Sequence, residues 1–212
     1  EKRNRNRARI KFLVAKLGIE EFRKLVMQQR QALPHDDAWT AYLKDLPEQW
    51  DTPLKNAVSL NGRPKSAELD AWAATNVAGQ RQTGYATVTI NLPLGDITSN
   101  QMRRLADIAH RFVGDNIRTT VEQNIILRWV SESDLPEVFA RLKDAKLDNR
   151  GAGTIVDVTA CPGTDTCKLG IASSRGLAAE LRTHLAARSA SMPDAIKDLK
   201  IKISGCFNSC GQ

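Results

Sequence analysis

The chain opens on helical spacing. Ile10, Leu13, Val14 and Leu17 fall at i, i+3, i+4 and i+7, one face of a helix, and Gly18 follows as its stop. A second helix carries Phe22, Leu25 and Val26 and ends before Pro34. Asp36 or Asp37 caps a third, with Trp39, Tyr42, Leu43 and Leu46 on one side and Pro47 near its end. Trp50 to Gly84 is mixed and broken by Pro53, Gly62, Pro64 and Gly79, so it predicts a connector with short elements. From Tyr85 the period changes. Tyr85 to Leu92 alternates and is rich in Thr, Val and Ile, the pattern of a half-buried strand. After the turn at Pro93-Leu94-Gly95-Asp96, Ser99 caps a helix with Met102, Leu105, Ala106, Ala109, Phe112 and Val113 in helical period. Ile117 to Val121 and Ile125 to Val130 predict two strands with a tight turn near Glu122-Gln123. Ser133 then caps a helix that buries Leu135, Val138, Phe139 and Leu142.

With Thr154 to Val158 as a closing strand, the order is β-α-β-β-α-β, the ferredoxin-like arrangement of an α+β fold. A helix over Leu169 to Arg188 and a short strand over Lys200 to Ser204 complete an α/β segment. The divisions expected are helices over 1–52, the ferredoxin-like unit over 53–150, and a cysteine-bearing segment over 151–212.

Composition narrows the class. At 212 residues, 42% hydrophobic and 26% charged, the chain is an ordinary soluble globular one. No apolar run reaches membrane-spanning length, and the charged start is not a signal peptide, so the expectation is a cytoplasmic protein. The chain begins at Glu1 without Met, which reads as an excerpt or a processed product. A net charge of +7 favours acidic partners or anionic ligands. Lys2, Arg3, Arg5, Arg7, Arg9 and Lys11 crowd one end, but aromatics are only 5%, poor material for base stacking. That run reads as a solvated helix start rather than a nucleic-acid arm. His35, His110 and His184 have no evident metal partner in the pattern and receive no role.

The candidate chemistry is confined to the last stretch. All four cysteines lie there: Cys161 and Cys167 in ACPGTDTCKLG, Cys206 and Cys210 in SGCFNSCGQ. Each pair follows a predicted strand, and a strand end delivers its loop to one sheet edge. Pro162-Gly163 and Gly205 allow close turns whose amides can point at sulfur. Structural zinc sites use tighter knuckles than Cys-x5-Cys, and disulfides need an oxidising compartment that nothing else supports. Spacing and setting therefore favour a 4Fe-4S cluster, with a four-cysteine zinc site next. A zinc-stabilised binding module with a basic arm, and an electron-transfer 4Fe-4S protein without a second cofactor, stay open.

TACPGTDTCKLGIASSRGLAAEL followed by KISGCFNSCGQ closely resembles the cluster signature of the sirohaem-dependent nitrite and sulfite reductases. IRTTVEQNIILRWV resembles that family's Arg-x-Thr-x-x-Gln strand pair, and RNRARIKFLVAKLGIEEFRKLV its helices joining two enzyme halves. The resemblance implies a six-electron reductase, of sulfite to sulfide or nitrite to ammonia, using a 4Fe-4S cluster and sirohaem. It implies that Cys161, Cys167, Cys206 and Cys210 hold the cluster, with Cys210 bridging to the sirohaem iron. Arg118, Thr120 and Gln123 match the strand-pair motif, as sirohaem contacts or as a relic that holds the hairpin. Asn208 is a donor to sirohaem or cluster, or a turn former. The implied partners are a ferredoxin or flavoprotein electron donor and a small anionic substrate. The chain matches only the second half of the family's duplicated enzyme, so it reads as a fragment, inactive alone, whose substrate-gripping basic residues lie elsewhere. Phe207 stands where the family usually has Pro.

Overall fold

The computed structural model describes residues 9–44, 52–60 and 66–211. Lys2, Arg3, Arg5, Arg7, Leu46, Pro47, Trp50, Gly62 and Pro64, singled out above, lie outside the described residues. The chain divides into two compact units, Glu1–Glu48 and Gln49–Gln212.

In the first unit, α1 (Ile10–Leu17) and α2 (Ile19–Ala32) meet at Gly18, whose φ of +79° suits glycine. Glu20 and Glu21 sit in the first turn of α2 and Arg30 in its last, in accord with the helix dipole. The third predicted helix starts as a tighter turn than its pattern implies, and its expected end lies outside the described residues. Asp36 accepts from the Ala38 amide to cap a 3-10 turn over Asp37–Trp39, and α3 spans Ala41–Lys44.

The second unit begins its regular structure inside the stretch that pattern left as a connector. Ser66 accepts from the Leu69 amide at 3.1 Å and starts α4 (Ala67–Asn76). β1 (Val77–Gly79), β2 (Tyr85–Ile90), α5 (Ser99–Phe112), β3 (Ile117–Thr119), β4 (Ile125–Ser131) and α6 (Leu135–Asp144) follow. The sheet is antiparallel throughout, in the order β1-β2-β4-β3. Val88, Ile90 and Leu127 share a core with Leu105 and Phe112 of α5 and Val138 and Leu142 of α6, all fully buried. Each such side chain contributes about 1.5–3 kcal/mol by leaving water. Trp72 of α4 is also fully buried and stands 5.1 Å from Phe139, ring centre to ring centre.

The caps differ by one residue from those expected. Thr98, not Ser99, precedes α5, in a reciprocal capping box with Gln101. Asp134, not Ser133, precedes α6, and buried Ser133 meets the Ser131 hydroxyl at 3.2 Å.

The closing strand is the main correction. Thr154 to Val158 forms turns, and the place beside β2 belongs to β1, which precedes it in the chain. Gly151 and Gly153 take φ of +90° and +65°, outside the extended region. The Asp157 carboxylate then accepts from the Gly153 amide at 2.9 Å, closing the turn on itself. The chain next forms β5 (Thr159–Ala160), α7 (Ser174–Arg188), α8 (Asp194–Lys197) and β6 (Lys202–Ile203). β5 and β6 are parallel, and α7 lies in the crossover between them that parallel pairing requires. Val158, Ala160 and Ala178 are their buried core. Helix α7 starts at Ser174 rather than near Leu169, because the Ile171 and Ala172 amides both donate to the Gly205 carbonyl, at 2.9 and 3.0 Å.

Candidate metal centre

Parallel pairing of β5 with β6 aligns Thr159 with Lys202 and Ala160 with Ile203. Both strands therefore release their following loops at the same end. Cys161 leaves β5 directly, and its amide donates to the Ile203 carbonyl at 3.1 Å. Gly205 and Cys206 leave β6 just beyond Ser204.

The Cys161 thiol is buried in polar contacts. The Gly205 amide donates to its Sγ at 3.1 Å. Ser174 Oγ stands 3.4 Å from the same sulfur and donates to the Cys161 carbonyl at 2.7 Å. The Ser174 contact is the largest influence pulling the Cys161 pKa below the usual thiol value. The Gly205 amide adds to it, burial opposes it, and the Gly163 amide contributes least.

Room for these contacts comes from absent side chains. A Cβ on Gly163 would lie 2.3 Å from Ser174 Oγ and 2.6 Å from the Ala172 carbonyl oxygen. One on Gly205 would lie 2.7 Å from that oxygen and 2.8 Å from Gly163 Cα, and one on Gly170 would lie 2.7 Å from the Gly163 carbonyl. Three backbone segments thus cross where only glycine permits it.

The other sulfurs are more open. Cys167 is exposed, with its amide donating to the Gly163 carbonyl at 3.0 Å. Cys206 is half-buried and Cys210 exposed, in a turn where Ser209 takes φ +57° and Gly211 donates to Ser204 Oγ at 3.0 Å. All four are free thiols. Among the described residues no three Cys, His, Asp or Glu groups stand close enough to hold a metal ion. The structure thus brings Cys161 and the Gly205-Cys206 turn to one sheet end without gathering four sulfurs. Donor set and sulfur environment nonetheless fit a thiolate-ligated group. Amides aimed at sulfur favour its negative form, and a four-cysteine set suits iron–sulfur or zinc.

The strand-pair residues have structural partners. The Thr120 hydroxyl accepts from the Asn124 amide at 3.2 Å within the hairpin. Gln123, at φ +65°, donates through Nε2 to the Ala160 carbonyl at 2.8 Å, fastening the hairpin turn to the residue before Cys161. Arg118 is exposed, and its guanidinium donates to the Ile117 carbonyl at 2.8 Å. Asn208 is half-buried. Phe207 is 81% exposed, so its ring does not pack over the neighbouring turn.

Three side chains that pattern did not single out tie this segment to the sheet. The Arg175 guanidinium donates to the Leu94 carbonyl at 2.9 Å, pairs with Asp96, and reaches Asp165 of the Cys161–Cys167 loop at 3.2 Å. Asp157, almost fully buried, accepts from Asn124 Nδ2 at 2.7 Å and lies 3.7 Å from Arg182, which also donates to Asn91 at 2.9 Å. A carboxylate inside the apolar run TIVDV was the one available signal, since burying it demands partners.

Residues 78–145 match the model of the nitrite/sulfite reductase ferredoxin-like half domain. A ferredoxin–nitrite reductase of Synechococcus elongatus is 26% identical over 212 residues, 99% of this chain and 35% of that protein. A protein of Mycolicibacterium paratuberculosis named sulfite reductase [ferredoxin] 2 is 29% identical, across 100% of this chain and 34% of its own length. The structure of the Mycobacterium tuberculosis NirA protein superposes with a TM-score of 0.62 at 24% identity, over 99% of this chain and 34% of that one. At that identity the superposition speaks for the fold. The chain spans about a third of the length of the curated relatives it matches. The chain thus matches this half domain over residues 78–145 and is similar along essentially its whole length to nitrite and sulfite reductases.

Proposed function

We propose that this chain is the part of a nitrite or sulfite reductase that holds a 4Fe-4S cluster through Cys161, Cys167, Cys206 and Cys210, with Cys210 shared with sirohaem. The observation that carries the reading is the Cys161 environment. A thiol that meets a backbone amide at 3.1 Å and a hydroxyl at 3.4 Å in a buried glycine crossing is built to be a thiolate. When bound, the coupled pair supplies the six-electron reduction of nitrite to ammonia or of sulfite to sulfide.

The chain's own residues bind and orient. The β5–β6 pair sets the Cys161 and Cys206 loops at one end, and the exposed Cys167 and Cys210 lie further along the same two loops. Gln123 holds the Ala160 carbonyl, so the hairpin supports the cluster loop from behind. That contact, with the Thr120 bond, supports the role of holding the hairpin for these two. Arg118, exposed at the sheet edge, keeps guanidinium N–H groups for a sirohaem carboxylate, and half-buried Asn208 serves as a donor from the last cysteine turn.

The electron donor is a ferredoxin, with a flavoprotein as the alternative. The relatives carry ferredoxin in their names, and a net charge of +7 suits an acidic partner. No helix among the described residues is long and apolar enough to cross a membrane, in keeping with the cytoplasmic location we propose. Anaerobic purification tests the reading: the protein should be brown, with iron and acid-labile sulfide in equal amounts. One zinc per chain and no iron would overturn it.

A further inference from the structure

Ser174 is the first residue of α7, seven residues after Cys167, and only 2% exposed. Its hydroxyl has a single proton and two acceptors within reach, the Cys161 carbonyl oxygen at 2.7 Å and the Cys161 sulfur at 3.4 Å. As a thiol, Cys161 can donate its own proton to Ser174 Oγ, and the serine proton stays on the carbonyl. As a metal-bound thiolate the sulfur has no proton to give, and the hydroxyl can turn toward it.

The surroundings are shaped around this oxygen. Gly163 has no Cβ where one would fall 2.3 Å from Ser174 Oγ, and Gly205 none where one would fall 3.2 Å from it. The same two glycines frame the sulfur, since Gly205 donates its amide to it. The serine therefore bridges both the backbone and the side chain of one cysteine, which fixes the cysteine's rotamer and supplies a second donor to its sulfur.

We propose that Ser174 is a positioning residue for Cys161: it holds the sulfur in its ligating rotamer and, by donating to the thiolate, makes the bound cluster easier to reduce. This rests on the reading that Cys161 ligates iron. A cluster that accepts one electron places more negative charge on its sulfurs, and donors aimed at those sulfurs stabilise the reduced form. A residue serving the fold alone would leave that equilibrium unmoved.

The test compares wild type, Ser174→Ala and Ser174→Thr, each reconstituted anaerobically with ferrous iron and sulfide. Iron and sulfide content is measured, and the one-electron couple is titrated with dithionite and followed by electron paramagnetic resonance. Ser174→Ala should disfavour reduction about threefold to tenfold, tenfold being about 59 mV for one electron. Ser174→Thr, which keeps the hydroxyl, should return to within about twofold of wild type. Failure of Ser174→Ala to hold iron while folded, with Ser174→Thr holding it, supports the proposal equally. Equal potentials at equal iron content overturn it, as does unfolding of both variants, which would assign the hydroxyl to the fold. Wild type that takes up no iron overturns instead the cluster reading.

Discussion

Replacing Asp157 by Ala should be strongly destabilising. Its side chain is 3% exposed and accepts from Asn124 Nδ2 at 2.7 Å and from the Gly153 amide at 2.9 Å. It also lies 3.7 Å from Arg182, whose own side chain is 15% exposed. Removing the carboxylate strands a largely buried guanidinium, which costs about 3–5 kcal/mol. The Asn124 amide loses its acceptor as well, about 1–3 kcal/mol for an unsatisfied buried donor, though the two losses overlap. Burial already draws the Arg182 pKa downward, and Asp157 is what opposes that pull. A net loss of about 4 kcal/mol is a large share of a typical domain stability of about 5–15 kcal/mol. With a urea slope near 2 kcal/mol per molar, the midpoint should fall by roughly 2 M. The partner change Arg182→Met removes the charge and keeps most of the bulk. In the double variant the stranded cation is gone, so the two losses should fall short of their sum by about 2 kcal/mol or more. Strict additivity in that cycle, or an Asp157→Ala loss under about 1 kcal/mol, would refute the claim that this pair anchors the cysteine segment to the sheet.

Other outcomes follow from the same geometry. Gly205→Ala places a methyl against the Ala172 carbonyl oxygen and Gly163 Cα, at 2.7 and 2.8 Å, where backbone must move. It should cost about 1–3 kcal/mol in urea unfolding and lower the iron retained after reconstitution. Gln123→Ala removes the side-chain bond to the Ala160 carbonyl. Hydrogen exchange should then quicken in residues 159–161 while the core amides of α5 keep their protection. Glu137 is held below the usual carboxylate pKa, first by its bond to Arg141, against burial and with help from Arg111. A lowered folded-state value means its contribution is complete above the ordinary carboxylate pKa and disappears as pH falls through the lowered one. Glu137→Gln should therefore reduce stability slightly at neutral pH and match wild type once acid has protonated the carboxyl, read as urea midpoints across that range.

The legible parts of this fold were those where local chemistry and tertiary contacts agree. Ile125 to Val130 alternates as a strand and is one, and Leu135, Val138, Phe139 and Leu142 are buried where their spacing placed them. Ala67–Asn76 was missed because Ala67, Ala71 and Ala74 surround the Leu69, Trp72 and Ala73 stripe and blur it; Trp72 and Leu69 carry its burial. TIVDV read as a strand because four of its residues are β-branched, yet the turn is set by Gly151, Gly153 and the capture of Asp157 by Asn124, a residue 33 positions away. No local pattern encodes that partner. The cysteine pairs were visible from spacing, but the strand that brings Cys161 beside β6 is Thr159–Ala160, just past the Thr154 to Val158 run that was expected to form it. Ser174 and Arg175 were invisible for the opposite reason: each is an ordinary helix-start residue until the crossing of Gly163, Gly170 and Gly205 gives it neighbours.

The claim on which the rest depends is that these four sulfurs hold iron as a cluster. Mössbauer spectroscopy of the chain reconstituted anaerobically with iron-57 and sulfide addresses it directly. The account predicts about four irons per chain in one 4Fe-4S site with thiolate ligation, lost on replacing Cys161 by Ser. Iron that washes away as adventitious ferrous ion, with one tightly held zinc per chain in its place, would contradict it.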